Sequence, residues 1–503
     1  MDQFTAKHAA HITATLSCFD RVLFKGHLPL RWPEAMERLL ARNGLLIKDF
    51  KPFVLKQSAR TKDHALQLAQ RAGRPYEHLM RCTRKEDHAR AIAQRDGITQ
   101  GLVCVLAAVE SCQTFKLRYG KGRPRLVNAP GKCLCLYFYY VEPDFGLIHI
   151  RLPTWFPCTV QVCLNGHEWL ARQMDRRGMK YEKLDNAFVS LKDPARTQRL
   201  AERFTRLNWR RILSGWARRV NPLLRDLLRH LDHYWVTDQA EFATDVMFAS
   251  RTALEGLYGS LLRHATCCLG AEDVLTFLGR KLHGCFQGRM VSEYKTRWPG
   301  ARIKHRMKDN WIKMYNKHGC VLRIETVINR PYEFRVWRRG IRRHNKVRGW
   351  FPMAKGVTNL YRYAEVSLTA NRRYLDALAV VNDPTPTLQR WHTLARPLHA
   401  NGRSYRGFNP AAREDLDLFT AVLRGEHAIK GFCNADIRRQ LFSSFQSRAH
   451  LRQQGARVSR LLKRLHVRGL VARIPRSRRW RVTKIGQLAM TTALTKVLGN
   501  VAA

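Results

Sequence analysis

Residues 455–487 read GARVSRLLKRLHVRGLVARIPRSRRWRVTKIGQ. Val458, Leu461, Leu462 and Leu465 fall at i, i+3, i+4 and i+7, the spacing of one buried helix face, which predicts a helix over 455–468. Gly469 stops it. Residues 470–474 and 480–482 suit two short strands, and Pro475, Arg476, Ser477, Arg478 and Arg479 form a basic turn between them. Thr483 to Gln487 opens a last helix. Upstream, 415–423 and 434–442 read as two more short helices, the second opened by an Asn434 cap. The expected order is therefore helix, helix, helix, strand, basic hairpin, strand. Burying the apolar face of the third helix leaves Arg457, Ser459, Arg460, Lys463 and Arg464 outside. Residues 451–487 hold twelve Lys or Arg and no acid.

That order is a winged helix-turn-helix. Val458-Ser459-Arg460-Leu461-Leu462, Gly469-Leu470-Val471, Arg479 and Thr483-Lys484-Ile485-Gly486 resemble the MarR-type winged-helix domains, over less than a fifth of the chain. The resemblance implies DNA binding, with the third helix in a major groove and the hairpin tip against a neighbouring groove or phosphate. The charge agrees with it. Exposed Arg457 or Arg460 can pair bidentately with guanine, while Lys463, Arg464, Arg476, Arg478 and Arg479 neutralise phosphate. A winged helix that contacts protein is the alternative these residues leave open. The whole chain is similar to a group of large basic bacterial proteins that end in a winged helix, and no activity carries over from them.

The cation surplus is not confined to that end. The 503 residues hold 90 Lys and Arg against 39 Asp and Glu, a formal net charge of +51, whereas an ordinary metabolic enzyme is close to balance. Hydrophobic residues at 45% and aromatics at 10% supply several cores and exclude a disordered basic tail. A folded body with this much like charge repels itself, and a polyanion relieves the repulsion most directly. DNA is the expected partner, with RNA as the alternative for the middle of the chain. Acidic membranes fit the charge, but no amphipathic anchor is present, so no membrane partner is expected. The longest apolar run, 133–141, is well short of the ~18 to 20 residues that cross a bilayer. No basic-then-apolar leader follows Met1, and a cytoplasmic location is expected. Neither Cys133-Leu134-Cys135 nor Cys267-Cys268 has CxxC spacing, which predicts neither structural zinc nor disulfides. Nothing in the sequence sets the oligomeric state.

The fold class expected is α+β and multidomain, with antiparallel sheets, helical segments and the C-terminal winged helix. Residues 1–100 read as mainly helical, with a strand at 20–26 and a helix at 32–40. Residues 101–190 read as an α+β antiparallel module, with β-branched and aromatic runs at 102–109, 114–118, 134–141 and 147–152. Leu, Trp and Arg at helical spacing make 191–285 a helical segment. Residues 286–350 form a basic β-rich module, in which 289–348 carry eighteen Lys or Arg and four acids. A helical connector covers 351–400, broken at Asn382-Asp383-Pro384-Thr385-Pro386. A flexible linker is expected at 401–407, and the winged helix takes 408–503.

Two clusters are candidates for chemistry. Asp238, Glu241 and Asp245 lie at spacings of three and four in a chain poor in acids, and on a helix they would share a face, as metal-binding carboxylates do. On a strand, Asp238 and Asp245 would point opposite ways, and the acids would neutralise nearby arginines instead. The second cluster is the hairpin Lys313-Met314-Tyr315-Asn316-Lys317, His318-Gly319, Leu322-Arg323-Ile324-Glu325. On its strands Lys313, Tyr315 and Lys317 share one face, and Arg323 and Glu325 share another. It resembles the short YDK and RxE strands of plasmid rolling-circle replication initiators, where a tyrosine attacks a DNA phosphate and carboxylates hold the metal. The resemblance implies those roles for Tyr315 and Glu325, but Asn316 stands where the family has Asp. No His-x-His pair is present, since His149-Ile150-Arg151 supplies one histidine. The plain alternative is a hairpin lining a phosphate-binding groove, with Lys304, Arg306, Lys313 and Lys317 as contacts. Asp20, on its early strand, matches the first carboxylate of a ribonuclease-H-like nuclease, but no second or third acid can be assigned to neighbouring strands. Trp155, Trp311, Trp337 and Trp350 are candidates for stacking on bases.

No GxxxxGK[ST], GxSxG or HExxH is present, which argues against nucleotide hydrolysis, serine hydrolysis and zinc proteolysis. Two functional expectations remain. One is a DNA-binding protein of a mobile or self-replicating element that cuts or rejoins strands with Mg²⁺ or Mn²⁺, as a transposase, recombinase or replication initiator does. The other is a non-catalytic transcription regulator or RNA-binding ribonucleoprotein component.

Overall fold

The computed structural model describes all residues except 80–83, 120–122, 268, 281–289, 298–299, 343–344, 382–393, 401, 410–411, 443–447 and 500–503. The expected break at 382–386 lies outside the described residues. The chain divides into two compact units. A sheet unit takes Ile12–Ala249 and Cys320–Leu368, and a terminal unit takes Met1–His11, Ser250–Gly319 and Thr369–Ala503.

The strands before residue 250 are β1 (Ile12–His27), β2 (Tyr76–His78), β3 (Gly101–Arg118), β4 (Arg125–Glu142), β5 (Gly146–Pro153), β6 (Val160–Asn165), β7 (Tyr181–Leu184), β8 (Ala187–Leu191) and β9 (Tyr234–Phe248). The terminal unit adds β10 (Met290–Arg297), β11 (Gly300–Met307) and β12 (Asn310–Lys317). The sheet unit resumes with β13 (Val321–Ile328), β14 (Arg335–Arg342) and β15 (Asn345–Pro352). Its large sheet runs β13-β9-β1-β6-β5-β4-β3-β2. Neighbours are antiparallel except β2, which is parallel to β3.

The early strand expected at 20–26 is the second half of the 16-residue β1. The stretch 191–285 departs further from expectation. Helices Pro194–Glu202 and Trp209–Val220 form, but Tyr234–Phe248 is a strand, not helix. Its Val236, Thr237, Phe242, Thr244, Val246 and Phe248 are residue types that suit a pleated surface. From Ala240 to Phe248 only Glu241 is not fully buried, so the strand lacks the alternation that marks a half-buried one.

β1 carries the geometry that matters. It pairs with β6 only from Arg21 onward and with β9 along most of its length. Phe19 faces Phe242, and Val22 faces Ala240, so Asp20 and Arg21 together oppose Glu241 in a β-bulge. The extra residue lets Phe19 and Phe24, five positions apart, face the same aromatic layer: Phe204 lies 5.3 Å from Phe19, and Trp209 lies 4.9 Å from Phe24 and 4.8 Å from Phe204. Asp20 points to the opposite face. Where β6 has not yet begun, Gln198 completes the edge of β1, accepting from Ser17 N at 2.9 Å and donating to Ser17 O at 3.1 Å.

In the terminal unit β10, β11 and β12 pair in order, antiparallel. Near the C-terminus the longer helices are Arg413–Leu423, Asn434–Leu441, Arg448–Val467 and Lys484–Gly499, with a single turn at His427–Lys430 between the first two. Val471–Arg473 pairs antiparallel with Trp480–Val482. Val458, Leu462 and Leu465 pack with Leu418, Phe419, Val422, Ile437 and Met490 in one core. The linker expected at 401–407 is instead partly a small hairpin, Leu398–Ala400 against Arg403–Tyr405. Among the described residues, no helix is long and apolar enough to cross a membrane.

Candidate functional site

Three adjacent strands of the sheet unit put charge on one face. Arg323 pairs with Asp245, Glu325 with Ala243 and Val327 with Glu241 across β13 and β9, while Leu16 and Cys18 of β1 face Asp245 and Ala243. Alternation therefore directs Arg323, Glu325, Asp245, Glu241 and Asp20 to the same side. Ala243 and Cys18 are small, which leaves room between them. The β7–β8 hairpin crosses this side, and Phe188 lies 5.9 Å from the ring of His167.

His167 arrives from the helix Gly166–Asp175, capped by Asn165, whose side chain accepts from Glu168 N at 3.1 Å. A Cβ on Gly166 would lie 2.3 Å from Phe19 O, so only glycine lets the helix start this close to β1. Asn165 also donates to Asn186 Oδ1 at 2.8 Å, and Asn186 Nδ2 in turn donates to Asp20 Oδ1.

Arg323, fully buried, is the hub. Its Nε and Nη2 donate to Asp245 at 2.6 and 2.7 Å, Nη1 donates to Asp20 Oδ2 at 3.2 Å, and Nη2 donates to Asn186 O at 2.8 Å. Nη2 also lies 3.1 Å from His167 Nε2. The two His167 ring nitrogens sit 3.5 Å from Asp20 and Asp245. Burial alone would raise the pKa of both carboxyls; Arg323 reverses this, with His167 contributing, and holds both below the usual carboxylate range. For His167, burial opposes the charge, and so does Arg323. Cys18, Asp20 and Asp245 outweigh them and lift its pKa well above the ordinary imidazole value.

Asp20 is shared between this network and a second constellation. One carboxylate oxygen each from Asp20, Glu241 and Glu325 lie within 4.8 Å of one another, with Asp20 and Glu325 buried and Glu241 half-buried. Carboxylate oxygens alone suit a hard divalent cation, which keeps several waters beside one or more carboxylates. Bound there, such an ion would polarise a phosphoryl oxygen and acidify a water.

Of the residues expected from sequence, Glu241 and Glu325 meet here, and Asp20 supplies the carboxylate whose companions could not be assigned. Asp245 instead pairs with Arg323. Asp238 is the extra residue of a second bulge, between the pairs Leu23–Gln239 and Phe24–Thr237, and binds Lys25 at 2.7 Å and Lys355 at 3.6 Å. Tyr315 belongs to the terminal unit, half-buried on one face of β12 with Lys313 and Lys317. Asn316 closes the following turn, its Oδ1 accepting from Gly319 N at 3.0 Å. Lys304 and Arg306 share a face of β11; Lys304 lies opposite Lys313 and stacks 4.4 Å above Trp311, and Arg306 pairs with Asp309 at 3.2 Å. His167 and Asn186 were missed, and Arg323 was placed beside Glu325 on its strand face without its role as partner of Asp245 and Asp20. The available signal was the pair of charges inside the apolar run of β13.

Among the C-terminal cations, Arg457, Arg460, Lys463, Arg476 and Arg478 are exposed. Arg457 pairs with Glu414 at 3.3 Å. Two others hold backbone together. Arg464 donates to Arg406 O and Gly407 O at 3.3 and 2.8 Å and stacks 4.1 Å above Phe408. Arg479 donates to Lys430 O and Gly431 O at 2.8 and 3.0 Å and pairs with Asp436 at 3.2 Å.

No family model matches the chain, and no curated protein matches it. Among solved structures, the di-domain ARO/CYC BexL from the BE-7585A biosynthetic pathway aligns with 56% of this chain and 99% of its own, at 10% identity and a TM-score of 0.15. At that score the likeness carries no argument.

Proposed function

We propose that this chain is a DNA-binding protein whose sheet unit cuts or rejoins a phosphodiester with Mg²⁺ or Mn²⁺ held by Asp20, Glu241 and Glu325. One observation carries the proposal: in a protein of net charge +51, three carboxylates from three neighbouring strands converge within 4.8 Å. Like charges this close favour either a proton or a cation between them. A surface rich in Lys and Arg supplies the phosphate ligand that such a cation shares in phosphodiester chemistry. In this reading Arg323 and His167 are positioning residues, fixing Asp20 from behind. The C-terminal three helices and short hairpin would act as a winged helix that selects a duplex site, with Arg457, Arg460 and Lys463 offered on the exposed side of the third helix.

The test is incubation of the full chain with supercoiled and single-stranded DNA, with Mg²⁺ or Mn²⁺, for wild type and for D20N, E241Q and E325Q. The reading expects strand processing by wild type only, with DNA binding kept in all variants. The second reading, a non-catalytic regulator, draws on the charge compensation that Arg323 already provides for Asp20. No processing on any substrate, with binding intact, would decide for it.

A further inference from the structure

β14 and β15 form a two-stranded ribbon of their own, outside the large sheet. Residues 334–352 read FRVWRRGIRRHNKVRGWFP, with no acid. Register sorts the described residues onto two faces. Arg335, Trp337, Arg339 and Ile341 lie across from Pro352, Trp350, Arg348 and Lys346, while Val336, Arg338 and Gly340 lie across from Phe351, Gly349 and Val347. The second face holds the ribbon together. Val336 is buried, Arg338 stacks over Phe351 at 5.5 Å and donates to Pro352 O at 2.9 Å, and a Cβ on Gly340 would lie 2.7 Å from the Phe351 ring.

The first face is exposed. Trp337, Ile341 and Trp350 are 54%, 70% and 62% exposed, and Arg335, Arg339, Lys346 and Arg348 are exposed as well. Arg339 and Arg348 sit directly opposite each other, a like-charge pair that weakens an antiparallel ribbon unless an anion lies between or above them. The two tryptophan rings meet edge to face, with centroids 5.8 Å apart at 73°. Exposed aromatic planes alternating with cations along one strand face match the stacking-plus-phosphate pattern of proteins that grip unpaired nucleic acid. Insertion into a bilayer fits less well, because burying the tryptophans and Ile341 would also bury the arginine pair between them.

We infer that this face of the β14–β15 ribbon binds single-stranded nucleic acid, its bases stacking on Trp337 and Trp350 and its phosphates meeting Arg335, Arg339, Lys346 and Arg348. The inference rests on the nucleic-acid reading of the charge and not on the metal centre. It names the strand that the sheet unit would hold: an unpaired one.

The full chain is titrated at low salt against labelled oligo(dT), oligo(rU) and a duplex of the same length, and against anionic vesicles. Wild type is compared with W337A/W350A, W337F/W350F and R339Q/R348Q. The alanine pair loses at least about tenfold in affinity for one or both single strands and keeps duplex affinity, while the phenylalanine pair retains binding. The glutamine pair lowers the salt slope on single strands by about 1.4. Because the rings are more than half exposed, losing their edge-to-face contact lowers the melting temperature only slightly in the alanine pair, and the phenylalanine pair keeps an aromatic contact there. The oligo(dT) and oligo(rU) arms tell which sugar the ribbon accepts. Unchanged single-strand affinity in the alanine pair, an equal loss on duplex, or a loss seen only on vesicles overturns the inference and leaves the proposed function standing. A wild-type chain that binds no nucleic acid overturns both.

Discussion

Arg323→Met removes one guanidinium from between Asp245 and Asp20 while keeping most of the side chain's bulk. In wild type that group is fully buried and makes donor contacts of 2.6, 2.7 and 3.2 Å to the two carboxylates. Breaking a buried pair on one side costs about 3–5 kcal/mol, a large part of the roughly 5–15 kcal/mol that holds a domain folded. The pH dependence has a definite sign. Both carboxyls have folded pKa values below their unfolded ones, so in wild type their stabilisation is present above the unfolded value of about 3.9 and is lost as pH falls through the folded values below it. Without Arg323, His167 is the main group left opposing burial, and the two pKa values move up from their wild-type positions. The deficit of the variant is then greatest near neutrality and shrinks on acidification toward about pH 5, as protonation removes the stranded charge. Urea unfolding of R323M and of R323M/D245N at the two pH values reads this directly. The double variant, with one buried carboxylate replaced by a neutral amide, recovers part of the loss at neutral pH. A deficit that does not change with pH, or a double variant no more stable than the single, would refute the account of the network.

Further outcomes follow from the same contacts. His167→Gln removes a group whose folded pKa is raised, so wild type carries that stabilisation in full below about pH 6.5 and loses it as pH rises through the folded value; thermal melts of the variant lack this alkaline decline. Gly166→Ala drives a methyl into Phe19 O and costs about 1–3 kcal/mol by chemical denaturation, whereas no loss would mean that the helix start can move away without consequence. The metal reading expects Mn²⁺ to raise the melting temperature of wild type, by an amount that follows the ratio of free metal to its dissociation constant, and E241Q and E325Q each to abolish that rise. Arg457→Ala or Arg460→Ala costs about 1–3 kcal/mol of duplex affinity and relaxes base preference, while Arg478→Ala weakens all sequences alike; uniform losses from all of them would remove the groove assignment. Arg479→Ala, by contrast, lowers the melting temperature, because its guanidinium ties Lys430, Gly431 and Asp436 together.

The parts of this molecule that could be read in advance are those where local pattern and final environment agree. The third C-terminal helix announces itself because Val458, Leu462 and Leu465 all reach one core, and the small hairpin after it follows from a turn between two apolar runs. β12 was equally open to reading: its alternation puts Lys313, Tyr315 and Lys317 on one side of the strand, as expected. β9 gave the opposite lesson. Acids three and four apart suggest a helix face, yet the segment is a strand buried on both sides, where periodicity has no polar side to mark.

The metal-binding candidates were half visible for a related reason. Scarcity of acids drew attention to Glu241, and the hairpin that resembles YDK and RxE strands drew it to Glu325, but proximity depends on which strands become neighbours and in what register. Asp20 faces the pair because it follows Phe19, which is turned the other way toward Phe204, and the bulge opposite Glu241 then restores phase so that Phe24 also reaches the layer of Phe204 and Trp209. The aromatic layer thus decides where the carboxylate points. Val22→Glu would test only burial, whereas deleting Arg21 tests this coupling. With Arg21 removed, Phe19 and Phe24 stand four apart, and plain alternation keeps both on the aromatic layer with Asp20 directly opposite Glu241. The deletion variant should therefore keep its stability and the Mn²⁺ response of wild type; loss of either would show that the bulge does more than restore the phase of β1.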